Sequence, residues 1–251
     1  MRARKLSQFV FYILGCLTAV LIWWLVSKDP QSLLYRFNPA DTCKALLILL
    51  VSHQFWQGLL ETMSRLGIGI GIAAVVGIPI GLITGYFARA QEFTYIPFQF
   101  LRMISPLSWT PIAIILLGIG SAPVYFLVGI AAVWPIILNT AAGVRAAEKQ
   151  WLEVGRCLGA NDWQTICFIL IRATMPSILV GIQLALGIAW VVIVPAEMLG
   201  VASGLGYMIL DFRDVNDYAS IMALILVIGI LGLCLDLPLR YFSSKLKLQA
   251  S

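Results

Sequence analysis

Six stretches of this chain, about 9–27, 62–87, 94–118, 122–142, 176–199 and 218–239, are apolar almost without interruption. A bilayer core of about 30 Å requires roughly 20 such residues per crossing helix. In hydrocarbon every backbone N–H and C=O must be satisfied within the protein, which leaves helices or closed barrels. Runs of this length without strict alternation read as helices. The expected fold is an all-α membrane protein with six transmembrane helices. Composition agrees: 61% of residues are hydrophobic and 12% charged, and the mean hydropathy is +0.94.

Arg2, Arg4 and Lys5 precede the first run, which carries Trp23-Trp24 and no small-x-small cleavage site after it. It reads as a retained span with interfacial aromatics rather than a signal peptide. The segment 45–60 is apolar but shorter than a span and holds His53, Gln54 and Trp56. It reads as an amphipathic helix lying on the membrane, with a full span as the rival reading. The domain reading is thus 1–60 as an N-terminal helix plus interfacial segment, 61–240 as the core, and 241–251 as a tail.

In the second span Gly69, Ala73, Gly77, Gly81 and Gly85 recur every four residues. At 3.6 residues per turn they form one small-residue stripe, the kind of face that lets two membrane helices approach closely. A dinucleotide-binding glycine loop is excluded, because no strand precedes it and no acid follows at the required distance. Span three is interrupted by Pro97, Pro106 and Pro111. Pro123 opens span four, which contains Trp134-Pro135.

With the N-terminus inside, 12 of the 17 basic residues fall on the cytoplasmic side, and Lys28, Arg36, Lys44, Arg65 and Arg213 fall outside. This satisfies the positive-inside rule and makes both termini cytoplasmic. The net charge of +5 is therefore topological and does not call for nucleic acid. The five cysteines form no C-x-x-C pair, and His53 is the only histidine. A histidine-based metal site or catalytic triad is nearly excluded.

The longest break in the hydrophobic pattern is 143–176, a charged, helix-prone loop on the cytoplasmic side. Residues 151–158 read as a short amphipathic helix that Gly159 terminates. Asn161 followed by Gln164 is a capping pattern that starts a second helix. A helix, a corner and a helix tethered to spans at both ends can transmit force from a soluble partner.

Glu153-Val154-Gly155 with Gly159 and Ile169-x-Ile171 resembles the E-A-A-x3-G-x9-I-x-L-P loop of binding-protein-dependent ABC importer permeases. Val154 and Gly155 stand where that motif has alanines, and Arg172 where it has proline. Thr62-x-x-Arg65, Gly77-Ile-Pro79-Ile-Gly81, Arg102-x3-Pro106, Asn139-Thr140, Met175-Pro176-Ser177 and Ala196-Glu197-Met198-Leu199 extend the resemblance over about 60–240. The chain resembles the nitrate/sulfonate/taurine/bicarbonate subfamily. Ser105 to Pro111 is most similar to nitrate and bicarbonate members, and Gly204-Leu-Gly206-Tyr with Asp211 to the sulfonate branch.

The resemblance implies a type I importer (MetI-like) core that works with other subunits. These are two cytoplasmic ABC ATPase subunits, a periplasmic or lipid-anchored substrate-binding protein, and a second permease copy forming a homodimer. It implies the bacterial inner membrane and import of a small anion, nitrate or bicarbonate before sulfonate or taurine. No G-x4-G-K-[ST] loop occurs in the chain. It is therefore read as non-catalytic and without a cofactor of its own, ATP-Mg being bound by the partner ATPase. Trp151, Leu152, Glu153, Val154, Gly155, Arg156, Leu158, Gly159 and Ala160 are the expected ATPase-coupling residues.

A path for an anion requires polar groups in a dry bundle. The candidates are Arg102, Ser105, Ser108, Trp109, Thr110, Asn139, Thr140, Gln183 and Glu197. Each could equally serve only to bond one helix to another. Glu197 is costly in lipid and needs a basic partner, a gating role or an outlet to the interface. The competing function is an autonomous secondary transporter, a class that often shows repeats and paired broken helices. Here one span is strongly broken and no repeat is visible.

Overall fold

The computed structural model describes residues 2–29, 33–147, 157, 159 and 161–249, and among them there is no strand. The helices are α1 (Arg2–Val26), α2 (Pro39–Val51), α3 (His53–Tyr86), α4 (Ala88–Met103), α5 (Thr110–Leu117), α6 (Ser121–Ala146), α7 (Asp162–Gly200), α8 (Leu205–Asp214) and α9 (Tyr218–Gln249). Short 3-10 turns cover Leu33–Phe37 and Pro106–Trp109. Among the described residues, α3, α6, α7 and the Tyr218–Pro238 part of α9 are long and apolar enough to cross a membrane. The pair α4 and Pro106–Leu117, bent by 87°, would make a fifth span or a re-entrant loop. The first expected span lies on α1, where the apolar stretch Leu17–Val26 is shorter.

The chain divides into two compact units. One comprises 1–56 and 209–229. In it the Trp23 indole N–H donates to the Phe37 carbonyl at 2.9 Å. Phe37 meets Tyr218 edge-to-face at 5.3 Å, and the Arg36 guanidinium lies over the Tyr218 ring. Leu49, Phe55, Ala223 and Leu224 are buried there.

The sequence pattern suggested one surface helix over 45–60, but the structure breaks it at Ser52. The Ser52 backbone is extended, and its N–H bonds to the carbonyls of Ile48 and Leu49. Its hydroxyl accepts from the Phe55 N–H at 3.2 Å, which caps the start of α3. Residues 53–60 are therefore the first turns of a 34-residue helix. The serine supplies an acceptor to one of the donors left open at the helix start, and the hydropathy pattern, which continues across the break, does not register it.

The second unit comprises 57–208 and 230–251. Here the glycine stripe of α3 packs on α6 in a constant register. Gly69 abuts Val128, Gly77 abuts Ile136, Gly81 abuts Thr140 and Gly85 abuts Val144, each partner lying 59 positions later. A constant offset means that α3 and α6 run parallel. Against α7 the order reverses: Gly143 meets Ser177 and Thr174, and Gly181 meets Asn139. Thus α6 and α7 are antiparallel. Small residues put backbones in contact, as association in lipid requires.

Pro97 does not break span three, since it lies inside α4. The break falls at Ile104 and Ser105, both extended, just before Pro106. A residue preceding proline is pushed out of the helical region, and proline itself suits the first position of a new turn. In the segment 200–217, α8 occupies most of the chain.

Candidate functional site

At one end of the second unit, two apolar spans bring together charges that could not stand alone in lipid. Thr62 and Arg65 are three residues apart on α3 and so share a face. Glu197 lies one turn before the end of α7 and is fully buried, as is Thr62, while Arg65 is 5% exposed. Arg65 Nη1 donates to Glu197 Oε1 at 2.7 Å. The other guanidinium N–H groups reach Ser121 Oγ, the Ser203 carbonyl, Ser203 Oγ and Glu61 Oε2. An arginine has five N–H donors, and all five are engaged.

The carboxylate of Glu197 is as fully used. Thr62 donates to it at 2.9 Å, and the Gly206 N–H donates to Oε2 at 2.9 Å. The Thr62 oxygen in turn accepts from the Leu205 N–H. Leu205 and Gly206 open α8, whose first N–H groups lack intrahelical partners and carry the positive end of the helix dipole. Glu197 and Thr62 therefore cap α8 as well as bind α3 to α7.

The turn that makes this possible needs glycine. Gly204 has φ +100, and a Cβ there would collide with the Glu197 carboxylate and the Arg65 guanidinium. A Cβ at Gly206 would strike the Val194 carbonyl. Removing two charges from water costs several kcal/mol per ion, which only complete hydrogen bonding offsets. This network is complete. It offers no free donor to a passing ion and acts chemically as a clamp joining α3, α6, α7 and α8.

The opposite end of the same helices forms the root of the 143–176 loop. Leu82 of α3, Val144 of α6, and Ile166 and Leu170 of α7 make a buried apolar cluster, flanked by Ile78, Tyr86, Ala147 and Ile171. Tyr86 Oη donates to Asp162 Oδ1 at 2.8 Å. The expected capping box is present: the Gln164 N–H donates to Asn161 Oδ1 at 2.8 Å, and the Asn161 N–H to Gln164 Oε1 at 2.9 Å. Gly159 has φ +77, the left-handed backbone that glycine adopts without strain. Residues Thr165–Leu170 are wound as a π-helix, a rare geometry often found at functional positions. Of the expected coupling residues, Trp151, Leu152, Glu153, Val154, Gly155, Arg156, Leu158 and Ala160 lie outside the described residues.

The expected pathway residues do not gather at one place. Glu197 belongs to the clamp. Ser105 and Ser108 are exposed on the bent connection between α4 and α5. Trp109 is half-buried beside them, and the buried Thr110 hydroxyl donates to the Leu107 carbonyl. Asn139 donates to the Pro135 carbonyl of its own helix, and Thr140 is fully buried against Gly81. Gln183 is half-buried on α7. Arg102 lines a cavity with Arg145.

Arg65 as the partner of Glu197 was not recognised in the sequence. The available signal was a lone acid and a lone arginine in apolar spans, each requiring the other.

Residues 77–248 match the family described as "Binding-protein-dependent transport system inner membrane component". This chain belongs to that family. It is 32% identical over 238 residues to a protein of Methanocaldococcus jannaschii named as an ABC transporter permease, covering 90% of this chain and 87% of that one. It is 32% identical over 248 residues to the bicarbonate transport system permease CmpB of Synechococcus elongatus, covering 93% and 87%. A Bacillus subtilis protein named as an aliphatic sulfonates transport permease, SsuC, is 32% identical over 198 residues, covering 79% and 72%. The fold is that of the permease in the MetNI methionine ABC transporter, with a TM-score of 0.64 at 18% identity over 80% of this chain and 97% of that one.

The chain is thus the membrane-spanning permease component of an ABC importer, with the type I fold that the loop motif implied. Family membership brings an ATPase and a substrate-binding protein as partners and places the chain in the inner membrane as a multi-pass protein.

Proposed function

We propose that this permease carries a small oxyanion, hydrogencarbonate first and a sulfonate or nitrate second, through a homodimer powered by two copies of a separate ATPase. The single observation that carries this reading is the similarity along nine-tenths of the chain to a bicarbonate permease. ATP-Mg is hydrolysed on the ATPase, and the loop 143–176 receives the motion. The loop root supports this. A cluster shared by α3, α6 and α7 makes displacement of the corner at Gly159 a displacement of three spans. Closure of the ATPase pair would then shift the permease between inward-open and outward-open states.

The orientation we propose puts the loop and both termini in the cytoplasm and the Arg65–Glu197 clamp at the outer ends of the spans. The clamp ties the first residues of α8, Leu205 and Gly206, to α3 and α7. A binding protein would deliver the anion on that side.

The test is reconstitution with the ATPase and binding protein in proteoliposomes. Hydrogencarbonate, ethanesulfonate and nitrate are each supplied to the binding protein while ATP hydrolysis and anion uptake are followed. One of the three should stimulate both. Uptake by the permease alone, without ATP, would instead identify a secondary transporter.

A further inference from the structure

A cavity of about 150 Å³ lies between α4 and α6, with part of its wall from α3. It accommodates several water-sized groups, since a single water needs about 10–15 Å³ on this measure. Arg102 of α4 and Arg145 near the end of α6 both line it, and among the described residues no aspartate or glutamate does. Among the described residues Arg145 has no acidic partner, and Arg102 is held only by the Gln99 side-chain oxygen at 2.9 Å. That bond aims the guanidinium and leaves the Gln99 amide N–H₂ free to donate. Gln91 adds a second amide to the lining. Phe98 and Trp134, edge-to-face at 5.6 Å, form an apolar wall. Such a wall strengthens any charge interaction beside it by excluding water.

We propose that this cavity is an oxyanion-binding site on the loop side of the core, with Arg102 and Arg145 as its charged donors and Gln91 and Gln99 as its neutral ones. Two guanidinium groups that line one cavity between membrane helices, both exposed and without an acidic partner among the described residues, suit an anion, either a free one or the headgroup of an anionic lipid. Arginine presents planar paired donors that match an oxyanion. The choice of free anions as probes rests on the transport reading above, whereas the site itself rests on the geometry.

The experiment uses the permease in complex with its ATPase, in phosphatidylcholine nanodiscs at constant ionic strength. Potassium hydrogencarbonate, nitrate and ethanesulfonate are titrated separately while tryptophan emission is followed. At least one should give a saturable change whose amplitude is lost in Trp134→Phe. In Arg102→Gln and Arg145→Gln the midpoint should rise at least about tenfold, the weight of one charged hydrogen bond. Arg145→Lys, which keeps the charge, should recover most of the response and thereby separates lost charge from lost fold. A second arm replaces part of the lipid with phosphatidylglycerol. If this abolishes the response to free anions, and does so only while both arginines are present, the site is assigned to the lipid headgroup.

Absence of any response in either lipid, or arginine variants that titrate like the parent, would overturn the site. Anion import that persists in such variants leaves the transport reading standing. Binding at the arginines without import of any of the three anions contradicts that reading and leaves the site standing.

Discussion

Arg65 and Glu197 stand 132 positions apart in the chain and meet at 2.7 Å inside the helical core, with neither charge reaching solvent appreciably. Because every donor and acceptor of the pair is taken, the pair is worth most when it is whole. Glu197→Leu or Arg65→Met alone strands the other charge and should cost about 3–5 kcal/mol. The double variant should cost clearly less than the sum of the two. Thermal melting of the detergent-solubilised protein measures all three, and additive losses would refute the coupling.

Gly81 allows α3 to touch α6, since a Cβ there would lie 2.6 Å from the Thr140 Cβ and 2.8 Å from the Ile137 carbonyl. Gly71, on the same helix, has nothing within 4 Å of its would-be Cβ. Gly81→Ala is therefore expected to lower stability by about 1–3 kcal/mol through overpacking. Gly71→Ala should be neutral or slightly stabilising. Melting temperatures of the two variants should separate, and equal values would refute the proposed register.

Thr140 Oγ1 is buried with no hydrogen-bond partner among the described residues. Leaving a hydroxyl unpaired costs about 1–3 kcal/mol. Thr140→Val, which keeps the shape at the Gly81 contact, should leave stability unchanged or raise it. Transport should stay at the parental rate if Thr140 serves only packing. A fall in uptake with normal melting would instead place its hydroxyl on the anion's path.

Gly159 adopts φ +77 in the loop, and no described residue comes within 4 Å of where its Cβ would lie. A valine there must be forced into a left-handed backbone at a cost of about 1–3 kcal/mol. Gly159→Val should reduce ATPase binding and transport by more than its modest drop in melting temperature accounts for, while the protein still inserts. Gly159→Asn, which tolerates that conformation, should be milder. Equal transport by both would remove the corner from the coupling mechanism.

What could be read from sequence follows a physical division. The Asn161–Gln164 box and the Gly159 corner depend on residues three to five apart, so their local chemistry is written in the chain. The glycine stripe of α3 could be recognised as a packing face, but its partner α6 and the offset of 59 could not. The clamp was further out of reach: Glu197 was visible as an anomaly, yet its complement depends on how α3 and α7 cross. The Ser52 break escaped because one serine cap outweighs a hydropathy pattern that continues across it. Helix α8 escaped because its cap comes from Glu197 and Thr62 rather than from its own neighbours.

Cys157 is exposed within the loop and offers direct access to the question of what that loop touches. With Cys16, Cys43, Cys167 and Cys234 replaced, a short bis-maleimide can be applied to inside-out vesicles carrying the assembled transporter and an ATPase bearing one engineered cysteine. A crosslink from Cys157 to the ATPase, changing in yield between ATP-bound and nucleotide-free states, is the expected result. Labelling of Cys157 only from the outside of intact cells, with no crosslink in either state, would contradict a permease driven through this loop.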